Sequence, residues 1–450
     1  MLRAPVYARY IRYRKPFLLD LGIIPRGMMG IIRAGMCRPW SGSSGKQGFM
    51  QPETHYMTLS RRAFIESMAV AGTASLAPGV GRAEAPGAGG RVPVIDITDL
   101  YHAPQDPGDN VDLIAGYALP EVDLRAVIFD VTDRYRRPYI NPADHSHDDP
   151  AGGRDPGFIP VCQLNYLFGR EVPCAAAPFT AMRFPEDPMT DTPPFQQQGI
   201  ELLLRVLRES PVPVDIVSFG SARPVAVAFN RDPDLLREKV REIYLCEGSA
   251  PAGYLEWNVY LDPHAFVRML RSGLNITIYP CATEQGPFAL GPNNTFWNLP
   301  EFSLIQRVVP PLQRYLAYAF ERSTRVDFLS VLDEDIPAER LAAIAARQHS
   351  VWETDIWIHV AGRKLVHCQG TGYRILPAAS VKAEDRIISS ERVPCTVSVR
   401  DDGQFSFTPT DQPTPYKIFY RADPEEHQKA LRDAMPAMYA EFMKERSTFA

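Results

Sequence analysis

The chain has 450 residues, 45% of them hydrophobic and 22% charged, with a formal net charge of −5. This is an ordinary globular composition, long enough to bury a sizeable core. The mild acidity excludes the global basic field of a nucleic-acid binder, and the 42 prolines come with no long repeat or low-complexity tract.

The first 85 residues read as separate from the fold. Residues 1–56 are rich in arginine and contain internal methionines, so they are either an unusually long n-region or, the favoured reading, lie before a true start at Met50 or Met57. The stretch "MTLSRRAFIESMAVAGTASLAPGVGRAEA" (57–85) holds Arg61-Arg62, then Phe64, a modest apolar run and Ala83-Glu84-Ala85. Twin arginine, apolar run and small-x-small end stand in the order of a twin-arginine export signal, cleaved near Pro86. The competing reading is an ordinary N-terminal helix. The run is too short and too rich in Gly and Ala to span a bilayer. The expectations are therefore export to the periplasm or beyond through the twin-arginine machinery, and no stable membrane anchor.

From residue 92 strand-like and helix-like segments alternate. "VPVIDIT" (92–98) is a strand, 110–119 a helix and "LRAVIFDVT" (124–132) a strand. Residues 134–198 form a Pro-rich insertion, with a short strand at 171–177 and a helix opening at 199. Then come "VDIVSFG" (214–220), a helix at 232–240, "REIYLCEG" (241–248), a helix at 262–273 with Pro263 in its first turn and Gly273 at its end, and "NITIYPC" (275–281). This order predicts an α/β fold, an open, mostly parallel sheet with helices on both faces. Residues 370–420 read as short strands and turns, and 424–445 as an amphipathic helix. The domain expectation is one main domain over 86–369 with a C-terminal β/helix elaboration over 370–450 packed on it.

Such sheets bind ligands beyond the carboxyl ends of their strands, where Asp99, Asp106, Phe219-Gly220, Glu256 and Asn258 fall. The string "QDPGDNVD" (105–112) crowds three aspartates at the mouth of a helix. Either they are a solvated loop capping the helix, or they surround a hard divalent cation, Ca²⁺ or Mg²⁺. Six cysteines lie beyond residue 85: Cys162, Cys174, Cys246, Cys281, Cys368 and Cys395. An even count permits disulfides in an exported chain, although Cys246 and Cys281 sit in apolar runs where buried thiols are common. No CxxC points to zinc.

Two blocks carry a resemblance. One is "VIDITD", then Asp106-Pro107-Gly108-Asp109-Asn110, a helix, Pro120-Glu121 and a second strand. The other runs from "VDIVSFGSARP" through "YLEWNVYLDPHAF" to "NITIYP". Over 92–132 and 199–285 the sequence is similar to the inosine–uridine-preferring nucleoside hydrolases. That resemblance implies a Ca²⁺-dependent hydrolase that cleaves the N-glycosidic bond of ribonucleosides. It implies Asp106 as base and metal ligand, with Asp99, Asp109, the Phe219 carbonyl and Asp355 as further ligands. A second register, opened by the inserted "LYHAPQ", uses Asp99 as the base, with Asp112. Asn110, Glu256 and Asn258 are implied to grip the sugar, and Trp257, Trp297, Trp352 and Trp357 line the base pocket or the core. The family's last Asp follows a His that is Thr354 here, so His145, His147 and His359 become alternative leaving-group acids. A non-catalytic exported nucleoside- or sugar-binding protein of the same fold is the competing reading, and self-association is allowed by either.

Overall fold

The computed structural model describes residues 90–133 and 154–443. The export segment and the His145–His147 loop lie outside these residues. A nine-stranded sheet organises the chain. Its strands are β1 (Val92–Thr98), β2 (Val122–Phe129), β3 (Cys174–Ala176), β4 (Val214–Ser218), β5 (Val240–Leu245), β6 (Ile276–Ile278), β7 (Glu391–Val399), β8 (Phe405–Pro409) and β9 (Tyr416–Tyr420). The order across the sheet is β8-β7-β9-β6-β5-β4-β1-β2-β3. Every pairing from β3 to β9 is parallel, and only β7 and β8 run antiparallel to their neighbours. Strand order therefore reverses between β1 and β4, and in doubly wound sheets that switch opens a crevice at the carboxyl ends.

The strands carry β-branched and apolar residues on both faces because both are covered. In β1, Val94 joins one core while Ile95 and Ile97 join the other. In β4, Val217 and the pair Val214 and Ile216 divide the same way. A register shift opposite Val94/Ile95 inserts Arg125 into β2. It reverses the period-two alternation, so Leu124 and Val127 share one face. Helices α1 (Gly108–Ala118), α2 (Phe158–Phe168), α8 (Pro310–Phe320), α10 (Thr354–Val360) and α11 (Pro424–Tyr439) supply the first core. Helices α3 (Pro194–Glu209), α4 (Arg223–Arg231), α5 (Pro233–Lys239) and α7 (Pro263–Leu270) supply the second. The short helices α6 (Trp257–Leu261) and α9 (Ala338–Ala345) complete the set.

The C-terminal segment completes the sheet. β9 extends it in parallel beside β6, and α11 buries Ala430, Leu431, Ala434 and Met435 in the first core. Tyr439 at the end of α11 donates its hydroxyl to the Val111 carbonyl in α1. No helix among the described residues is long and apolar enough to cross a membrane.

Candidate active site

The switch point gathers carboxylates from separate elements. Asp96 lies within β1 and Asp99 just after it, Asp130 follows β2, Asp106, Asp109 and Asp112 lie on and before α1, and Glu353 is the residue before α10. Gly220, just beyond β4, fixes how closely these strand ends approach. A Cβ there would meet Asp130 Oδ2 at 2.8 Å and the Asp99 Cβ at 3.3 Å. Gly108 acts likewise at the mouth of α1, where a Cβ would meet the His349 ring at 2.9 Å and Asp106 Oδ1 at 3.1 Å. Asp106 accepts the Gly108 amide at 2.9 Å, which turns the chain into the helix.

Burial and mutual repulsion hold Asp96, Asp99, Asp109 and Asp112 toward their protonated forms. Burial, reinforced by the Glu353 charge, pushes Asp96 up to about 8. Asp99 is raised well above the usual carboxylate range first by burial and then by the charges of Asp130, Glu353 and Asp106, and Asp109 likewise by burial and then by Asp99, Asp106, Glu353 and Asp96. Asp112 is raised by burial and by Glu353, with which it hydrogen-bonds when protonated. Asp96 Oδ1 and both oxygens of Asp112 have no other donor. Carboxylates that are buried, adjacent and undonated pay a desolvation cost which a hard cation would relieve. The donor chemistry, oxygens without thiolate, suits such an ion. Among the described residues, however, no three His, Cys, Asp or Glu side chains already stand around one point as ligands would.

The sequence-derived residues divide. Asp99, Asp106 and Asp109 share the cluster. Asp355 Oδ1 accepts from Ser390 Oγ at 2.7 Å and from His427 Nε2 at 3.1 Å, while its Oδ2 is buried without a donor. The carboxylate that α10 brings to the cluster is Glu353. The sequence reading matched an Asp by residue type. Glu353, two positions earlier, leaves the turn on the side facing α1, and only the helix start at Thr354 separates the two directions. The Phe219 carbonyl accepts from Asn258 Nδ2 at 3.3 Å, and the Cys246 carbonyl accepts from the same group at 3.0 Å. Asn258 thereby ties the ends of β4 and β5. Asn110 gives its amide to Tyr315 Oη at 3.0 Å and keeps a buried, undonated Oδ1.

Glu256 caps α6, accepting from the amides of Gly248, Asn258 and Val259 at 3.1, 3.0 and 3.3 Å. Burial still raises it to about 7. The separate cap of α7 is Asp262. Trp297 and Trp357 are core residues, the latter against Phe219 at 5.6 Å. Trp352 is part-buried beside Phe288 and Phe296. His359 bonds Tyr279 and Ser390. His349 was not singled out in the sequence. It is buried against the Gly108 turn with Nε2 unpartnered, and a lone His in a short strand gives no spacing signal that could have found it.

A doubly wound sheet with an acidic cluster at its switch point and a buried Glu-x-Asn pair beside it defines a class of α/β proteins built for a small polar ligand. The model of the inosine-uridine preferring nucleoside hydrolase family matches residues 154–426, more than half of the chain, and the chain belongs to that family. The pyrimidine-specific ribonucleoside hydrolase RihA of Salmonella newport is 36% identical over 89 residues, 19% of this chain and 28% of that protein. Its counterpart from Escherichia coli O1:K1 is 33% identical over 100 residues, 21% and 32% of the two chains. The matched stretch thus spans about a third or less of these relatives. Among solved structures, the inosine-uridine preferring nucleoside hydrolase of Bacillus anthracis aligns over 78% of this chain and 99% of its own, with 13% identity and a TM-score of 0.41. A plant nucleoside hydrolase aligns over 77% and 99%, with 17% identity and a TM-score of 0.43.

Proposed function

We propose that this protein hydrolyses the N-glycosidic bond of ribonucleosides, assisted by a divalent cation, Ca²⁺ on the resemblance of the sequence, and that it acts after export through the twin-arginine machinery. The observation that carries the reading is the carboxylate cluster at the switch point of a chain belonging to this family. Asp99, Asp106, Asp109 and Glu353 are the residues that would hold the cation, drawn together as it binds. A cation there would supply Lewis acidity that makes a nearby water a better acid. The chain's own part is to take that water's proton on a carboxylate, Asp106 or Asp99, and to present carboxylate charge to the cationic sugar that develops as the bond breaks. Glu256 and Asn258, rigidly held between β4, β5 and α6, would orient the ribose hydroxyls. Part-buried Trp352, with half-exposed Phe288 beside it, offers an aromatic wall for the base.

The second reading is a binding protein that holds a nucleoside without cleaving it. The observation in its favour is that, among the described residues, no three ligands are pre-arranged. One experiment separates the two. Purified protein is incubated with a panel of purine and pyrimidine ribonucleosides, with Ca²⁺ or with a chelator, and free ribose is measured. Ribose release that the chelator abolishes supports the hydrolase. Calorimetric nucleoside binding without ribose release replaces it with the binding protein, and neither result leaves both readings without support.

A further inference from the structure

Cys246 follows β5 and Cys281 follows β6, and their thiols meet. The Sγ atoms are 3.3 Å apart across 35 residues of sequence. Both side chains are buried. The strands that carry them are paired up to Leu245 opposite Ile278, and beyond that the Cys281 amide donates to the Gly248 carbonyl at 3.0 Å. The two backbone carbonyls hold site residues. Cys246 O accepts the Asn258 amide at 3.0 Å, and Cys281 O accepts the Trp352 indole N–H at 2.9 Å. Hydrolysis as proposed uses neither thiol.

We propose that Cys246 and Cys281 form a disulfide that cross-links the ends of β5 and β6 and fixes the two carbonyls positioning Asn258 and Trp352. The reaction is thiol–disulfide exchange with an external disulfide. One cysteine thiolate attacks it and expels a thiol, and the second cysteine then attacks the mixed disulfide and expels the other. Two protein thiols are oxidised and one external disulfide is reduced to two thiols, their protons coming from the cysteines. Burial raises both native thiols above their ordinary range, so the exchange is slowest in the closed native state. Cys162 and Cys174 are a built-in comparison. Cys162 lies in α2 and Cys174 in β3, both only half-buried and neither at the strand ends of the site.

The cross-link does not rest on the hydrolase reading, because its readouts are mass and melting. The full chain is refolded in a reduced/oxidised glutathione buffer, denatured, alkylated with iodoacetamide and mapped by peptide mass. A cross-linked Cys246–Cys281 peptide is expected. The melting temperature should fall by about 5 °C in dithiothreitol, and that fall should be absent from the Cys246→Ser/Cys281→Ser variant. If that variant does not fold, the wild-type comparison with and without dithiothreitol decides. Alkylation of both thiols after oxidising refolding, or a cross-link that leaves melting indifferent to reductant, overturns the proposal.

Discussion

Glu353 sits at the entry to α10, where it hydrogen-bonds Asp112 and its charge raises Asp96, Asp99 and Asp109. Asp355, two residues on, is fully buried and is held down at about 2: burial, the largest single effect, pushes it up, and the His427 charge together with the hydrogen bonds from His427 and Ser390 and the His359 charge outweighs it. The two carboxylates should therefore fail differently. Glu353→Gln is expected to lower turnover and cation affinity at least about tenfold with little change in melting temperature. Asp355→Ala leaves a buried histidine unpaired and is expected to cost about 3–5 kcal/mol of stability while the folded fraction keeps its activity. Ribose release, calcium titration and urea denaturation of the two variants read this out. A calcium loss confined to Asp355→Ala would return the ligand role to that residue.

The same groups set a pH dependence. Asp96 at about 8 and Glu256 at about 7 are raised above their unfolded values. Each binds its proton more tightly folded than unfolded, so each adds stability at low pH that is lost as pH rises toward its folded value. His359 acts oppositely: lowered to about 4, mainly by burial, it destabilises the fold as pH falls from about 6.5 to 4. The effect of the lowered histidines, His102, His349 and His359, fades within about a pH unit above 6.5, and between pH 6.5 and 8 the raised carboxylates dominate. In chelator, the melting temperature is expected to fall across that window, and Ca²⁺ should restore most of the loss at pH 8. A melting temperature that rises across the window without cation would contradict the description of the cluster.

At the level of elements, the site depends on how closely strand ends can approach. Gly220→Ala puts a methyl 2.8 Å from an Asp130 oxygen that is already engaged by the Ser221 amide and hydroxyl, both at 2.7 Å. That carboxylate is fixed, so the backbone at 220 must shift, and with the Asp99 Cβ 3.3 Å away the shift disturbs Asp99 as well. We expect a cost of about 1–3 kcal/mol in stability and a roughly 100-fold loss in turnover, measured by denaturation and ribose release. A fully active variant would show that Asp99 is not part of the reacting site. The central strands were legible in the sequence because β1, β4 and β5 are short β-branched runs between turn residues, a strong local signal. β1 matches the sequence reading residue for residue, and the sequence placed α1 and α7 within a few residues. The pairing of β9 with β6 was not legible. It joins segments some 140 residues apart, and no local pattern in "YKIFY" names a neighbour. Glu353 was hidden for a related reason, since the direction in which a side chain leaves a helix start depends on tertiary packing and not on spacing.

For the molecule as a whole, the C-terminal residues belong to the functional body. Arg421 is fully buried, donating to the carbonyls of Gly291 and Phe296 and to Asn294 Oδ1. Without residues beyond 389, β6 would become an exposed edge, Asp355 would lose both partners and the first core would lose the face of α11. A chain ending at Ser389 is expected to lack a cooperative thermal transition and to aggregate, as followed by circular dichroism and light scattering. A soluble, cooperatively melting product would make the region 390–450 dispensable after all.

The parallel seat of β9 beside β6 also dictates an order of events during synthesis. A ribosome delivers β1 early, yet β1 ends in the middle of the sheet, and the strand that flanks β6 is among the last segments made. Until residues 416–439 have left the exit tunnel, Asp355 waits without His427 and α1 waits without the Tyr439 hydroxyl. The nascent chain is therefore expected to lack β9, the Asp355–His427 pair and the α11 face of the first core for nearly all of its translation. Chaperone occupancy of the nascent chain should accordingly persist until the last helix is free, and a stall sequence inserted after residue 443 would hold it longest when the tether is too short for α11 to dock.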